Sequence, residues 1–66
     1  MQITKLGLYK TRGYGQALIT SLGTALSSGK VYGKTDRFMF TWWHQDNGAH
    51  NTFRDDDLVE LIKESK

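Results

Sequence analysis

The chain of 66 residues contains no cysteine and no proline. The missing cysteine excludes a disulfide framework and a thiolate metal site. A chain of this length forms one domain, 1–66, around one small core. It buries only about 60% of its unfolded surface, so aromatic packing and self-association are the stabilisers that remain. Long apolar runs are also lacking. No segment approaches the roughly 20 apolar residues of a membrane span, and Met1-Gln2-Ile3-Thr4-Lys5-Leu6 does not read as a signal peptide. The expectation is a cytoplasmic protein with no membrane partner, which suits a reducing compartment.

Acid is scarce in the first part of the chain. Up to residue 40, Lys5, Lys10, Arg12, Lys30, Lys34 and Arg37 stand against Asp36 alone, a balance of +5. Beyond it, Asp46, Asp55, Asp56, Asp57, Glu60 and Glu64 outweigh Arg54, Lys63 and Lys66, a balance of −3. The net charge of +2 is too small to argue for nucleic acid by itself. The two halves either neutralise each other within the fold or present a basic face to phosphates and an acidic face to a basic partner.

What is present in excess is aromatic. Arg37-Phe38-Met39-Phe40-Thr41-Trp42-Trp43 holds both tryptophans and precedes Asp46-Asn47-Gly48, a strong signal for a tight hairpin. The spacing predicts strands over 6–11, 16–22, 30–33, 37–44 and 49–54. Arg12-Gly13-Tyr14-Gly15 forms the first turn, and 23–29 a loop that Ala25 and Leu26 pin to the core. Asp57 and Glu60 read as a capping box for a short C-terminal helix, with Leu58, Leu61 and Ile62 on one side. The alternative is a tight turn at the aspartates and a closing strand through 59–62. The fold class is mainly β: a small SH3-like barrel of about five antiparallel strands with a short C-terminal helix or turn.

With Asn47-Gly48 as a two-residue loop, Trp43 lies opposite Thr52 and Trp42 opposite Phe53. One face then carries Phe38, Phe40, Trp42 and Phe53. It supplies the expected core, together with Leu8, Leu18, Val31, Leu58 and Leu61. The other face carries Arg37, Met39, Trp43 and His50, the composition of a protein-binding surface if neither loop nor helix covers Trp43. A second candidate set, Lys10, Arg12, Tyr14, Lys30, Tyr32 and Lys34, interleaves aromatics with cations as nucleic-acid-binding surfaces do.

Catalytic motifs are not matched. Gly33-Lys34-Thr35 resembles the end of a phosphate loop, but position 28 is Ser and an aromatic strand follows. Gly13 and Gly15 lack the third glycine of a dinucleotide site. His44 and His50 fall on opposite faces in this register, which argues against shared metal coordination. Consecutive Asp55, Asp56 and Asp57 suit capping better than a cation. No Ser, His and Asp form a nucleophilic arrangement. The expectation is therefore no catalysis within one chain, no metal and no cofactor.

Gly7-x-Tyr9-x-Thr11-Arg12, then Ala17-x-Ile19, then Trp43-x-x-Asp46-Asn47-Gly48, then Asp57-Leu58-Val59, resembles small uncharacterised proteins of phages and prophages. The same layout is similar to SH3-like barrels of the KOW and Tudor kind. The resemblance implies a non-catalytic accessory protein that binds and modulates a host protein in the host cytoplasm. The alternatives are a nucleic-acid-binding module and a homo-oligomeric barrel.

Overall fold

A computed structural model describes residues 1–13, 15–23 and 29–65. Strand β1 is Gly7–Thr11, β2 Gln16–Ser21, β3 Lys30–Thr35, β4 Thr41–His44 and β5 Leu58–Glu64, with one 3-10 turn at Arg54–Asp56. Neighbouring strands are antiparallel throughout and lie in the order β4-β3-β2-β1-β5. The chain is thus mainly β, and this order, with the 3-10 turn ahead of the last strand, agrees with the expected small SH3-like barrel. Tyr14, Ala25 and Leu26 lie outside the described residues. Among the described residues, no helix is long and apolar enough to cross a membrane.

Strand alternation sorts the side chains. Tyr9, Ala17, Ile19, Val31, Trp43 and Leu58 point inward and are buried, joined by Ile3. Thr11 and Thr41 share that face. The inward set is small except for Tyr9 and Trp43, so these two rings fill most of the interior. Each satisfies its polar atom: the Tyr9 hydroxyl donates to the Lys5 carbonyl at 2.7 Å, and the Trp43 indole N–H to the Asp56 carbonyl at 2.8 Å. Gly33 sits opposite Ile19. A Cβ there would collide with the Leu18 carbonyl oxygen, so this close approach needs glycine.

The two strand faces are reversed relative to the expectation. Trp43 is 0% exposed, whereas Trp42 is half-buried on the outside. Phe40 and Phe53 are exposed, and Leu8, Leu18 and Phe38 are only half-buried. Of the expected core, Val31 and Leu58 are buried, with Leu61 packed partly against them. The lysines of β3 decide this: Lys30 and Lys34 face solvent, so Tyr32 and the Trp42 paired with it face solvent too, and Trp43 faces the core. The hairpin loop is also longer than expected. Residues 45–48 all belong to the turn, with the Gly48 N–H donating to the His44 carbonyl and Gly48 at φ 77. Asn47 keeps negative φ and uses its Oδ1 to accept the Ala49 N–H. Trp43 therefore lies opposite His50, not Thr52.

Two expected strands are shortened for related reasons. The run 37–44 is strand only from Thr41, because Thr35 Oγ1 accepts the N–H groups of Arg37 and Phe38 and turns the chain. The run 49–54 makes one bridge and then leaves the sheet for the 3-10 turn. The capping box does not start a helix. Asp57 is extended, its Oδ1 accepts the His50 N–H, and its carbonyl accepts the Arg12 N–H. Leu58–Glu64 instead pairs with β1, the closing-strand alternative. A marginal short helix loses to a full strand pairing.

The charged halves of the sequence meet in this fold. Lys5–Glu64 (3.4 Å), Arg12–Asp57 (3.5 Å) and Arg37–Asp56 (3.4 Å) each join the basic half to the acidic half. The first is exposed at both ends and contributes little; the other two hold half-exposed arginines against well-covered carboxylates.

Trp43→Ala is expected to cost ~3–5 kcal/mol, the usual loss for a buried aromatic. That is most of what so small a domain has, so the variant should be largely unfolded. Trp42→Ala should shift stability by only about 1 kcal/mol. Urea unfolding followed by near-UV circular dichroism distinguishes them. A Trp43→Ala protein with the parental midpoint would mean that the inner and outer faces are assigned the wrong way round.

Candidate functional site

Lys30 and Lys34 cannot point into a small core unpaired, so β3 turns Val31 and Gly33 inward and Lys30, Tyr32 and Lys34 outward. Directly opposed residues on antiparallel strands share a face. Trp42 opposes Tyr32, His44 opposes Lys30, Leu18 opposes Lys34, and Leu8 opposes Leu18. The outer face of the sheet is therefore a continuous surface of aromatic, aliphatic and lysine side chains.

Its aromatic part is a ladder along the β3–β4 edge. The Phe40 ring stacks on Tyr32 with centroids 5.6 Å apart and planes 14° from parallel. Trp42 meets His44 edge-on at 5.0 Å. The Lys30 ammonium lies 4.5 Å from the centre of the Trp42 ring, a cation–π contact that holds the indole in place and keeps a positive charge beside it. Lys10, Lys30 and Lys34 form no ion pair among the described residues. Asp36 lies beside Gly15, and Glu60 opposite Lys10.

The sequence-derived candidates separate. Lys10, Lys30, Tyr32 and Lys34 of the nucleic-acid set share the outer face. Arg12 does not join them, because its side chain is turned to Asp57, and Tyr14 lies outside the described residues. The protein-binding set does not form one surface. Trp43 and His50 are in the interior, while Arg37 and Met39 lie on the turn between β3 and β4. Met39 is 95% exposed and Phe40 70%, an apolar tip beside Arg37.

Hydrophobic alternation alone assigns Trp42 and Phe40 to the core and leaves His44 at its rim. The pattern Lys30-x-Tyr32-x-Lys34 carries the missing signal: once those lysines define the outside of β3, the residue paired with Tyr32 must be outside too.

Behind Trp43, His50 organises the segment that covers the barrel. Its Nδ1 accepts the N–H groups of Thr52 (3.1 Å) and Phe53 (3.0 Å). The proton of the neutral ring is therefore on Nε2, which donates to Thr41 Oγ1 at 2.7 Å. The ring stacks on Phe38 and Phe53 and meets Trp43 edge-on. Burial pulls its pKa below the ordinary 6.5; the Asp56 and Asp57 carboxylates oppose this, and Arg37 adds to it.

Comparison with protein-family models, with curated proteins and with solved structures returns no match for this chain.

The depressed His50 pKa gives a pH dependence with a definite sign. Unfolded chains take up a proton near 6.5 that the folded ring refuses, so the stability that His50 contributes is complete above that pH and declines below it. Unfolding free energies measured from about pH 7.5 to pH 5.5 should fall, by at most about 1.4 kcal/mol per pH unit for one proton. His50→Gln should flatten this slope while lowering stability throughout. An unchanged slope in His50→Gln would remove His50 as its source.

Proposed function

We propose that this chain is a non-catalytic binding domain whose outer sheet face takes single-stranded nucleic acid. The observation that carries this reading is the Phe40–Tyr32–Trp42 ladder with Lys30 and Lys34 beside it. Unstacked bases bring flat apolar faces and anionic phosphates together, and this surface offers a flat partner for one and charge for the other. Duplex is the poorer fit, since its bases are already stacked and hidden from a flat aromatic surface. The modest net charge of +2 suits a ligand held by stacking as much as by charge. The resemblance to phage and prophage proteins is compatible with an accessory role in the host cytoplasm.

A protein-binding reading rests on a different place, the Met39–Phe40 tip beside Arg37. An exposed Met and Phe flanked by Arg is an interface composition. With Trp43 in the interior, the partner would dock on the turn and not on the sheet.

Fluorescence anisotropy with single-stranded DNA and RNA oligonucleotides of about ten nucleotides tests the first reading. Trp42→Ala, which keeps the fold, is expected to weaken binding about tenfold or more, because stacking contributes ~1–3 kcal/mol per base. Lys30→Gln with Lys34→Gln should reduce the salt dependence by about 0.7 for each phosphate that is no longer neutralised. Binding that Trp42→Ala leaves intact, or no binding to any oligonucleotide, sinks this reading. A nuclease-resistant protein partner that Met39→Ser fails to retain would favour the second.

A further inference from the structure

Asn47-Gly48 lies in the turn after β4 and has a chemistry of its own. In an open chain, the backbone nitrogen of a glycine attacks the carboxamide of an asparagine before it, because no Cβ hinders the approach. Base takes the Gly48 amide proton, the nitrogen bonds to Asn47 Cγ, and the Cγ–Nδ2 bond breaks, so that the amide leaves as ammonia. Water then opens the cyclic imide. Addition at Cγ leaves aspartate at position 47. Addition at the main-chain carbonyl carbon leaves isoaspartate, whose main chain runs through the former side chain and is one carbon longer. We propose that Asn47 is a latent deamidation site that the folded turn guards, and that its conversion to isoaspartate bars the chain from closing the turn again.

The nucleophile is occupied. The Gly48 N–H donates to the His44 carbonyl at 2.8 Å, and Gly48 is buried, so its proton is closed to base while that bond holds. The imide nitrogen carries no hydrogen, so ring closure itself destroys this bond. The electrophile is fixed as well: Asn47 Oδ1 accepts the Ala49 N–H at 2.9 Å, which holds the carboxamide in one orientation. Both carbonyls of the pair are also tied. That of Asn47 accepts the Met1 ammonium at 3.0 Å, and that of Gly48 accepts the Leu58 N–H at 2.8 Å.

The hazard cannot be removed by changing the glycine, because its φ of 77 is a conformation that side chains disfavour. The turn thus requires the residue that makes the open chain reactive. The two products differ in consequence. Aspartate keeps the backbone and an oxygen to accept the Ala49 N–H. Isoaspartate turns the carbonyl that held Met1 into a free carboxylate and displaces Gly48 by one carbon. The Gly48 carbonyl then no longer meets Leu58, where β5 begins. A chain modified while open leaves the folding equilibrium.

Peptide mass mapping of the full chain, kept at mildly alkaline pH in buffer or in concentrated urea, follows deamidation at residue 47. Hydrogen exchange of the Gly48 amide is measured beside it by NMR. Deamidation should be on the order of a hundredfold slower in buffer than in urea, and slowed by about the same factor as Gly48 exchange, since both need the turn to open. Equal rates in buffer and urea overturn the guard. So does a slowing far smaller than that of Gly48 exchange, which would mean that the closed turn reacts. The isoaspartyl product, separated chromatographically, should unfold at much lower urea, while Asn47→Asp should keep nearly the parental midpoint. An isoaspartyl chain with the parental midpoint overturns the bar on closure.

Discussion

The burial of Trp43 is the constraint on which the other contacts depend. Its ring fills the space between β3 and the 49–57 segment, and its indole N–H is tied to the carbonyl of Asp56. That bond joins one edge of the sheet to the turn that launches the strand at the other edge. The Leu58 N–H, donating to the Gly48 carbonyl, makes the same connection close by. An indole placed there needs small residues in the core with it, and Ala17 and Val31 are such residues. It also needs a lid, which His50 builds by gathering the Thr52 and Phe53 amides on one ring nitrogen and Thr41 on the other.

The outside of the sheet follows from the same choice. Once Trp43 is inside, strand alternation places Trp42 outside, opposite Tyr32, and the lysines of β3 fall on the same side. The exposed ladder and the packed interior are therefore two results of one parity. The acidic segment that ends in Asp57 is drawn against Arg12 and Arg37, which leaves Lys10, Lys30 and Lys34 to give the outer face its charge. Charge neutralisation within the fold and a basic outer face coexist, although the sequence presents them as alternatives.

The first three strands and the all-antiparallel class were legible because Gly and Thr-Ser punctuation bounds their apolar runs. Which way the strands face was not legible from hydrophobicity, since Leu8, Leu18, Tyr32 and Trp42 are as apolar as the set that is buried. Only the lysines break the tie, and they do so on β3 and not on the aromatic strand itself. The Asn-Gly turn misled for a local reason: Asn47 stays at negative φ and caps Ala49 with its side chain. The capping box at Asp57 misled for a non-local one, since the carboxylate meant to cap a helix accepts the His50 amide instead. The lysine and tyrosine members of the outer face were visible in the sequence; the tryptophan that completes it was hidden because hydrophobicity assigned its face to the core.

Strand β5 pairs with β1 across nearly the whole length of the described chain. The β1–β2 and β2–β3 pairings are local and can form early, but the interior stays open until this distant strand arrives. Closure over so long a loop is entropically slow, and folds dominated by such pairings take milliseconds to seconds. During that interval Val59 and Ile62 belong to an unpaired apolar segment, and afterwards they still line the free edge of β5. The same strand that completes the barrel is thus its main route to misassembly between chains. Glu60, Lys63 and Glu64, interspersed among its apolar residues, act as the gatekeepers that oppose it.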